Sequence, residues 1–293
     1  YAAYVDSRSP GLLYQPIQLD AQVQEIHLQS DIEGPIAWTA GLFREVRDDV
    51  IDSQVLAADP QTGLPRPEAG FTGRRIVDSR LTQRAVYGEV TLGADRDTAL
   101  VLGARRFEYE KQTRGAALVV NVISNTADAN FRTSTQERGW SLKALASHRF
   151  SPTTLGYVQA SQGFRPGGVN PAPGLPENLS AYGADSLWNY EVGVKGSWLD
   201  NRLTLDAALY RIDWRDMQYT ANSANGAFSF ITNVGKARVK GLEADATLWI
   251  SPVLRGGANL AVTDAVLTSA GTPSKTTPSN VPAAMAAKIH KVR

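Results

Sequence analysis

The segment Tyr157-Val-Gln-Ala-Ser-Gln-Gly-Phe-Arg-Pro-Gly-Gly-Val-Asn170 joins an alternating run to an abrupt Pro-Gly-Gly turn. The first half alternates apolar with polar or small side chains, which is the period of a β-strand. Pro166 then fixes φ and removes a backbone donor, while Gly167 and Gly168 accept a positive φ. The segment therefore predicts a strand that stops at about residue 165 and a chain that folds over its end.

Composition narrows the class of protein. The chain has 293 residues, and its 30 Lys and Arg nearly balance 29 Asp and Glu, so no basic field exists for nucleic acid. The absence of cysteine excludes a disulfide framework and thiol chemistry. No apolar run approaches the roughly 18 residues of a membrane helix. Such a chain is either soluble or spans a membrane as a closed barrel.

Period-two segments recur along the chain, and helix signals do not. The longer segments suit the roughly 9–11 residues with which a tilted strand crosses a bilayer. The predicted strands lie at 21–30, 35–46, 80–92, 98–111, 137–150, 153–165, 187–199, 202–216, 228–250 and 254–267, with another from about 283.

The predicted connections alternate between short and long. Short turns are expected at 31–34, 93–97, 151–152, 200–201 and 251–252, and long ones at 47–79, 112–136, 166–186, 217–227 and 268–282. Outer-membrane barrels have short periplasmic turns and long extracellular loops, whereas a soluble sandwich has no reason to keep its long loops at one end. The alternation favours a membrane barrel.

The faces of the clearest strand carry different chemistry. Trp188, Tyr190 and Val192 share one face of 187–199, and Glu191 and Lys195 share the other. A barrel with lipid outside and a wet lumen gives this alternation. A sandwich with an apolar core gives it as well, so the pattern alone leaves both folds open.

Two further segments accompany the first. They are Asn189-Tyr-Glu-Val-Gly-Val-Lys-Gly-Ser-Trp198 and Asn233-Val-Gly-Lys-Ala-Arg-Val-Lys-Gly-Leu-Glu243. In this order and spacing, the three segments resemble mid-barrel segments of TonB-dependent outer-membrane receptors. The resemblance extends from Glu25 to Glu243.

The resemblance implies a fold and a function. The fold is an all-β, antiparallel transmembrane β-barrel in the Gram-negative outer membrane, of which this chain holds about 10–11 of a likely 22 strands. The implied function is import of a scarce nutrient, with a ferric siderophore as the first expectation. The implied partners are outer-membrane lipid and the TonB–ExbB–ExbD complex, which acts through an N-terminal plug. We expect the plug and terminal strands to be absent, because Tyr1-Ala-Ala-Tyr4 is no signal peptide and His290-Lys-Val-Arg293 is no terminal strand.

Two groups of residues are candidates for function. The first would line the rim after the strand at 153–165, where its side chains either contact ligand or hold the loop; it comprises Phe164, Arg165, Gly167, Gly168 and Asn170. The second would face the lumen or plug and comprises Glu191, Lys195, Asp206, Lys236, Arg238, Lys240 and Glu243. The apolar phase shifts near Gly241, which predicts a β-bulge there.

No enzyme, metal or cofactor signature appears. His27, His148 and His290 are scattered and lack metal-ligand spacing, and no nucleophile elbow or nucleotide-binding loop occurs. Two alternative functions remain open at this point. A passive porin would share the barrel without the plug, and a soluble carbohydrate-binding β domain would share the alternation.

Overall fold

The structure, a computed structural model, describes residues 3–4, 11–30, 34–94, 96–120, 130–170, 177–222 and 229–269. Strands dominate these ranges, and none of their helices is long and apolar enough to cross a membrane. Two short 3₁₀ turns lie at Pro67–Ala69 and Glu177–Leu179. The strands are β1 (Ala3–Tyr4), β2 (Gly11–Tyr14), β3 (Ile17–Gln29), β4 (Ile36–Ala57), β5 (Phe71–Leu92), β6 (Thr98–Val119), β7 (Phe131–Ser151), β8 (Thr154–Arg165), β9 (Gly168–Val169), β10 (Ala181–Tyr182), β11 (Asp185–Trp198), β12 (Leu203–Arg215), β13 (Gln218–Asn222), β14 (Ser229–Asn233), β15 (Lys236–Ser251) and β16 (Leu254–Ser269).

Twelve strands form one antiparallel sheet in which chain neighbours are also spatial neighbours. The order is β1-β2-β4-β5-β6-β7-β8-β11-β12-β15-β16, and β3 also pairs with β4. The two remaining pairs, β9 with β10 and β13 with β14, are small hairpins outside this sheet. Within the described ranges β16 pairs with β15 alone, so the sheet is an open part of a barrel wall. The predicted antiparallel all-β fold is confirmed.

Four strands are longer than the sequence predicts. β4, β5 and β6 each have 22 residues and β7 has 21, about twice what a bilayer requires. The residues at 47–57 and 71–79 therefore continue the ladder, and the connection shrinks to 58–70. Cross-strand ion pairs hold this charged extension, with Arg80 Nε 2.7 Å from Asp48 Oδ1 and Arg74 Nη2 2.8 Å from Asp52 Oδ2. Likewise, 112–119 and 131–136 extend β6 and β7.

The predicted strand at 228–250 is two strands. β14 ends at Asn233 and β15 begins at Lys236, and Gly235 between them has φ of 56°, which favours glycine. The predicted loop at 217–227 therefore includes β13, which pairs with β14 as a hairpin. The predicted strand near 283 and most of the connection at 268–282 lie outside the described residues.

The alternation of connection lengths agrees with the prediction. β7 and β8 are joined through Pro152 and Thr153, and β15 and β16 through Pro252 and Val253. Long connections at 58–70, 120–130, 166–184 and 216–235 join the opposite ends of the strands. All long connections among the described residues thus lie at one end of the sheet, which we call the long-loop end.

The register divides the sheet into two chemically different faces. Val158, Val192, Leu209, Leu242 and Val262 form one row across five strands. Val192 is 49% exposed and Leu209 is 55% exposed, which is unusual for large apolar side chains unless lipid covers them. This side is called the apolar face. The other side, the polar face, carries the directly paired Lys195 and Asp206.

A small core lies on the polar face near the long-loop end. It consists of Leu81, Ala85, Phe107 and Tyr109. Ala85 is directly opposite Phe107 in the register of β5 and β6. The ring of Phe107 covers Gly139 on β7, where a Cβ would lie 2.6 Å from the ring Cζ. Since aromatic burial contributes strongly to packing, this cluster gives the loops above it a firm base.

The topology predicts which connections are extracellular. An epitope tag inserted after Thr62, within the long connection 58–70, should bind antibody on intact cells that express the complete gene product. The same tag after Asp200, in a short turn, should bind only after the outer membrane is permeabilised, because short turns face the periplasm. Antibody binding to the Asp200 tag on intact cells would reverse the orientation.

The two faces predict different tolerance to substitution. Val192→Arg and Leu205→Arg place a charge on the apolar face, which typically costs about 2–4 kcal/mol at the bilayer midplane. Lys195→Gln and Asp206→Asn are the matched controls, since they remove one member of a half-exposed ion pair worth at most about 1 kcal/mol. The yield of folded complete protein in liposomes, read from heat-dependent gel mobility, should fall only for the first pair. Equal yields in all four variants would show that the faces are misassigned.

Candidate functional site

The Pro-Gly-Gly turn after β8 is held by close backbone contacts. The Gly167 amide donates to Tyr109 Oη at 2.8 Å, and a Cβ on Gly167 would lie 2.7 Å from the Tyr182 carbonyl oxygen. A Cβ on Gly168 would lie 2.5 Å from Tyr182 Oη. Neither glycine has a positive φ, so the expectation based on backbone freedom was wrong, and close approach of neighbouring atoms is what requires them. Burial raises the pKa of Tyr182, which keeps this phenol neutral.

Arg165, the last residue of β8, is paired with a buried carboxylate. It lies directly opposite Asp185 in the register, and its Nε donates to Asp185 Oδ2 at 2.9 Å. Asp185 is 2% exposed and also accepts from the backbone amides of Arg165 and Gln218, each at 3.1 Å. The guanidinium lies over Trp214, with 4.8 Å between its Cζ and the ring centroid. This pair therefore fixes the start of β11 to the end of β8.

Asn170 joins two loop segments. Its Nδ2 donates to the carbonyl oxygens of Leu179 and Ile231, each at 2.7 Å, and its Oδ1 accepts from the Ile231 amide at 2.7 Å. The residue is 8% exposed, so these bonds form away from water. Two bonds to Ile231 imitate a strand ladder between β14 and the segment after β9. The side chain serves as the connection between the two hairpins.

Asn233 makes the equivalent connection from the opposite direction. Its Oδ1 accepts from the Gly183 amide at 2.8 Å, and its Nδ2 donates to the carbonyl oxygens of Gly183 at 3.1 Å and Asp216 at 2.7 Å. Gln218 Nε2 also donates to Gly183 O at 3.0 Å and to Pro166 O at 2.8 Å. The five side chains at this position are called the rim clasp: Arg165, Asn170, Asp185, Gln218 and Asn233.

An aromatic stack lies beside the rim clasp. Phe164 stacks on Phe107 with 3.7 Å between ring centroids and 7° between planes. Tyr109, at 6.4 Å from Phe164, donates its hydroxyl proton to Glu137 and accepts the Gly167 amide. Phe164 therefore connects the end of β8 to the small core.

The sequence predicts part of the rim clasp and misses the rest. Arg165 and Asn170 follow a recognisable turn, and both lie in the clasp. Asp185, Gln218 and Asn233 come from separate segments, and nothing in their local pattern indicates a shared position. Burial of a single acidic residue at the start of β11 is a property of the assembled loops, so periodicity could not reveal it.

The predicted lumen residues separate into two groups. Glu191, Lys195, Asp206 and Glu243 all lie on the polar face. Glu191 Oε1 accepts a hydrogen bond from Tyr157 Oη at 2.6 Å, and Lys195 is ion-paired with Asp206. Together with Glu243, these side chains line the polar face along β11, β12 and β15.

The cationic row lies on the other side of the sheet. Lys236, Arg238 and Lys240 share the face of Leu242, because β12 and β15 pair without a register shift from Lys236 to Leu248. The bulge predicted at Gly241 is therefore wrong. Gly241 instead leaves space for Tyr210, whose hydroxyl would lie 2.4 Å from a Cβ on that glycine. Without a bulge, the row cannot face the same side as Glu243.

Comparison with known proteins agrees with this architecture. Residues 18–288 match the family model described as TonB dependent receptor-like, beta-barrel. The chain belongs to the TonB-dependent receptors. These are receptors of the Gram-negative outer membrane, so the predicted localisation is confirmed. The soluble carbohydrate-binding alternative is not supported.

Individual relatives are distant in sequence but similar in fold. The ferripyoverdine receptor of Pseudomonas aeruginosa is 23% identical over 230 residues, which cover 75% of this chain and 24% of that protein. The pesticin receptor of Yersinia pestis is 29% identical over 96 residues, which cover 33% of this chain and 14% of that protein. The crystal structure of the ferric yersiniabactin uptake receptor from Yersinia pestis matches with a TM-score of 0.71 at 18% identity, covering 89% of this chain and 38% of that one. The chain thus spans well under half the length of each.

The rim clasp predicts that its two hairpins open together. Asn170→Ala removes three side-chain hydrogen bonds and leaves the backbone N–H and C=O of Ile231 unpaired. Each buried unsatisfied group costs about 1–3 kcal/mol in the stability of the loop structure. Hydrogen exchange in the complete gene product should then accelerate about 5- to 150-fold at both 177–184 and 229–233, with unchanged heat-dependent gel mobility.

Asn222→Ala is the matched control, because Asn222 lies in the same pair of hairpins and its side chain accepts, among the residues that the structure describes, only from Ser229 Oγ. It should leave exchange in 177–184 unchanged. Faster exchange in one hairpin alone after Asn170→Ala would contradict the joint opening.

Proposed function

We propose that the complete protein binds a ferric siderophore at the long-loop end and imports it through the barrel. The observation that carries this proposal is the match of residues 18–288 to the receptor family, together with relatives whose names refer to ferripyoverdine and ferric yersiniabactin. This function requires a protein that captures the ligand and releases it on the periplasmic side. It requires no catalysis.

The rim clasp supports a binding surface whose shape is set in advance. Arg165 is neutralised by Asp185, so this residue does not act as a free positive charge for attraction over a distance. Its side chain remains 49% exposed, and its Nη1 group makes no hydrogen bond among the described residues. An oriented guanidinium edge of this kind suits the carboxylate or catecholate oxygens of an iron chelate. Phe164, Gly167, Gly168 and Asn170 would hold the surrounding rim.

The polar face supports contacts with a plug inside the lumen. Glu191, Lys195, Asp206 and Glu243 present charged groups to the side opposite lipid, where an inserted domain would meet them. Lys236, Arg238 and Lys240 are left out of this proposed surface, because their register places them on the apolar face. Energy for release would come from the TonB–ExbB–ExbD complex acting on the plug.

Uptake of radioactive iron tests the function. Cells that lack their own siderophore receptors and express the complete gene product should accumulate iron from at least one member of a panel of ferric siderophores. The uptake should saturate and should be lost when TonB is deleted, whereas binding of the same chelate to chilled cells should remain. Unsaturable uptake that persists without TonB would identify a passive channel instead.

Arg165→Lys tests the rim surface within the same assay. Lysine keeps the charge but lacks the planar fork that contacts Asp185 and presents a free edge. Chelate affinity should fall severalfold while uptake at saturation remains dependent on TonB. Arg215→Lys is the matched control, because Arg215 lies at the same end of the sheet but on the apolar face. Unchanged affinity in Arg165→Lys would place the binding surface on other loops.

A further inference from the structure

The four strands from β4 to β7 extend beyond the apolar face as a tall wall whose two edges differ. The edge formed by β4 is covered, because β4 pairs with β3 over residues 39–51 and with β2 over residues 54–57. On the other side, β7 pairs with β6 from Phe131 onward, but its pairing with β8 begins only at Lys143. Within the described ranges no strand therefore pairs with the β8 side of residues 131–139, which we call the free edge.

The end of β8 does not run beside the free edge, because it turns toward the lumen. Ser141 Oγ donates to the carbonyl oxygen of Gln162 at 2.6 Å, just beyond the point where the ladder between β7 and β8 ends. Phe164 then stacks on Phe107, and the Phe107 ring covers Gly139 on the polar face of β7. The end of β8 therefore lies on the inner side of β7 and leaves the lateral edge of β7 unoccupied by its own neighbour.

The free edge is a regular strand of exposed backbone. The ladder between β6 and β7 runs from Phe131 to His148 without a register shift, and residues 131–139 contain no proline. Every second residue of an edge strand directs its N–H and C=O groups away from its one neighbour. An inward-pointing charge can protect such an edge, but the carboxylate of Glu137 is already bound by the Tyr109 hydroxyl. The free edge is thus a template about 30 Å long for a further strand.

The outer face of the free edge carries positive charge. Arg132 and Arg138 both point outward and are exposed. Arg138 is opposite Glu108, which partly neutralises it, but Arg132 is opposite Arg114. Within the part of the chain that the structure describes, Arg132 forms no ion pair. Since opposite charges on directly paired strands stabilise a sheet, acidic side chains on an added strand would complement this face.

Neither the rest of the barrel nor a second copy fits the free edge. Completing the barrel adds strands beyond the open side of β16, whereas β7 and β8 are already neighbours in the wall. A second copy in the same membrane has the same orientation, and its strands are tilted by about 35–45°. Two β7 edges related by a two-fold axis along the membrane normal would cross at about 70–90°, which prevents a ladder.

We propose that the free edge binds an extended segment of an extracellular polypeptide, which joins β7 as an added strand and places acidic side chains opposite Arg132 and Arg138. In this mode of recognition, main-chain hydrogen bonds give affinity and alternate side chains give specificity. A small anion or a lipid does not supply donors and acceptors at the spacing of a strand. The proposed partner does not depend on which nutrient is transported.

Peptide binding to the purified complete gene product tests the free edge. The probe is a fluorescent peptide of nine residues with glutamate at the second and eighth positions and threonine elsewhere, so that its glutamates match the spacing of Arg132 and Arg138. Fluorescence polarisation should show saturable binding. Alternate amides within 131–139 should exchange rapidly in the free protein and slowly in the complex. Failure to saturate at millimolar peptide would overturn the proposal.

Two N-methylated versions of the peptide are matched controls for the backbone pairing. Successive N–H groups of a strand point to opposite sides, so methyl groups on the even-numbered residues block one edge of the peptide and those on the odd-numbered residues block the other. One version should retain binding and the other should lose it. Equal binding of the two versions would exclude strand addition. Because this comparison uses the unmodified protein, it decides the question even where a variant fails to fold.

Charge reversal tests the outer face. Arg132→Glu with Arg138→Glu should weaken binding of the glutamate peptide by at least about fourfold, because two favourable cross-strand pairs become like-charge pairs. A peptide with lysine in place of both glutamates should show the reverse preference. Binding of both peptides that is unchanged in this variant would overturn the proposed acidic partner.

Arg80→Glu with Arg84→Glu is the matched control for charge, since both residues are exposed on the outer face of β5. They lie three strand spacings, about 14 Å, from the added strand, which exceeds the screening length of about 8–10 Å. Affinity should stay within about twofold, and an equal loss here would reduce the effect to overall charge and overturn the proposal. Slow exchange throughout 131–139 without peptide would also overturn it, because another segment or a second copy would then already cover the edge.

Discussion

Backbone pairing is the constraint on which this structure depends. In hydrocarbon an unpaired amide or carbonyl has no water to replace its partner, so a strand can lie in lipid only between two neighbours. Each of the strands from β4 to β15 in the twelve-stranded sheet meets this requirement along its apolar part. The short turns keep neighbouring strands in register, and the regular register in turn separates the two faces. Without that separation neither the apolar band nor the polar wall would be continuous.

Glycine and tyrosine pairs recur on the polar face, where each tyrosine ring packs over a glycine and its hydroxyl group can form a hydrogen bond. Three times, a tyrosine ring lies over a glycine of the neighbouring strand, where any Cβ would collide with the ring: Tyr87 over Gly41, Tyr157 over Gly193, and Tyr210 over Gly241. The first two phenols then donate to carboxylates, Glu25 and Glu191, each at 2.6 Å. Packing covers the backbone, and the hydroxyl reaches a partner, so a large ring is accommodated without leaving a buried polar group unpaired.

The sequence predicts the strands correctly where they contact lipid. The prediction fails where the strands extend beyond the bilayer. In the bilayer an apolar face is obligatory, so alternation locates the short-turn ends of β5, β6, β8 and β12 to within a residue or two. Beyond the bilayer, cross-strand ion pairs such as that of Arg80 with Asp48 extend β4 and β5. The sequence of this extension is rich in charged residues, so its composition resembles that of a loop. Near Gly241 the apolar phase changes because one face leaves lipid while the other packs under loops, as shown by Ala237, which is 6% exposed. A bulge was the wrong explanation of a change in environment.

The rim clasp makes the mouth of the barrel respond as a unit. Asn170 and Asn233 each reach across from one hairpin to backbone groups of the neighbouring segment, so neither hairpin can swing away while the other keeps its bonds. Any ligand that pushes one hairpin aside must therefore break both sets of hydrogen bonds at once, and a ligand too small to do so moves neither. Two hairpins coupled in this way open only when a threshold force is exceeded and do not yield gradually. The rim would then discriminate among ligands by size before any of its side chains distinguishes their chemistry.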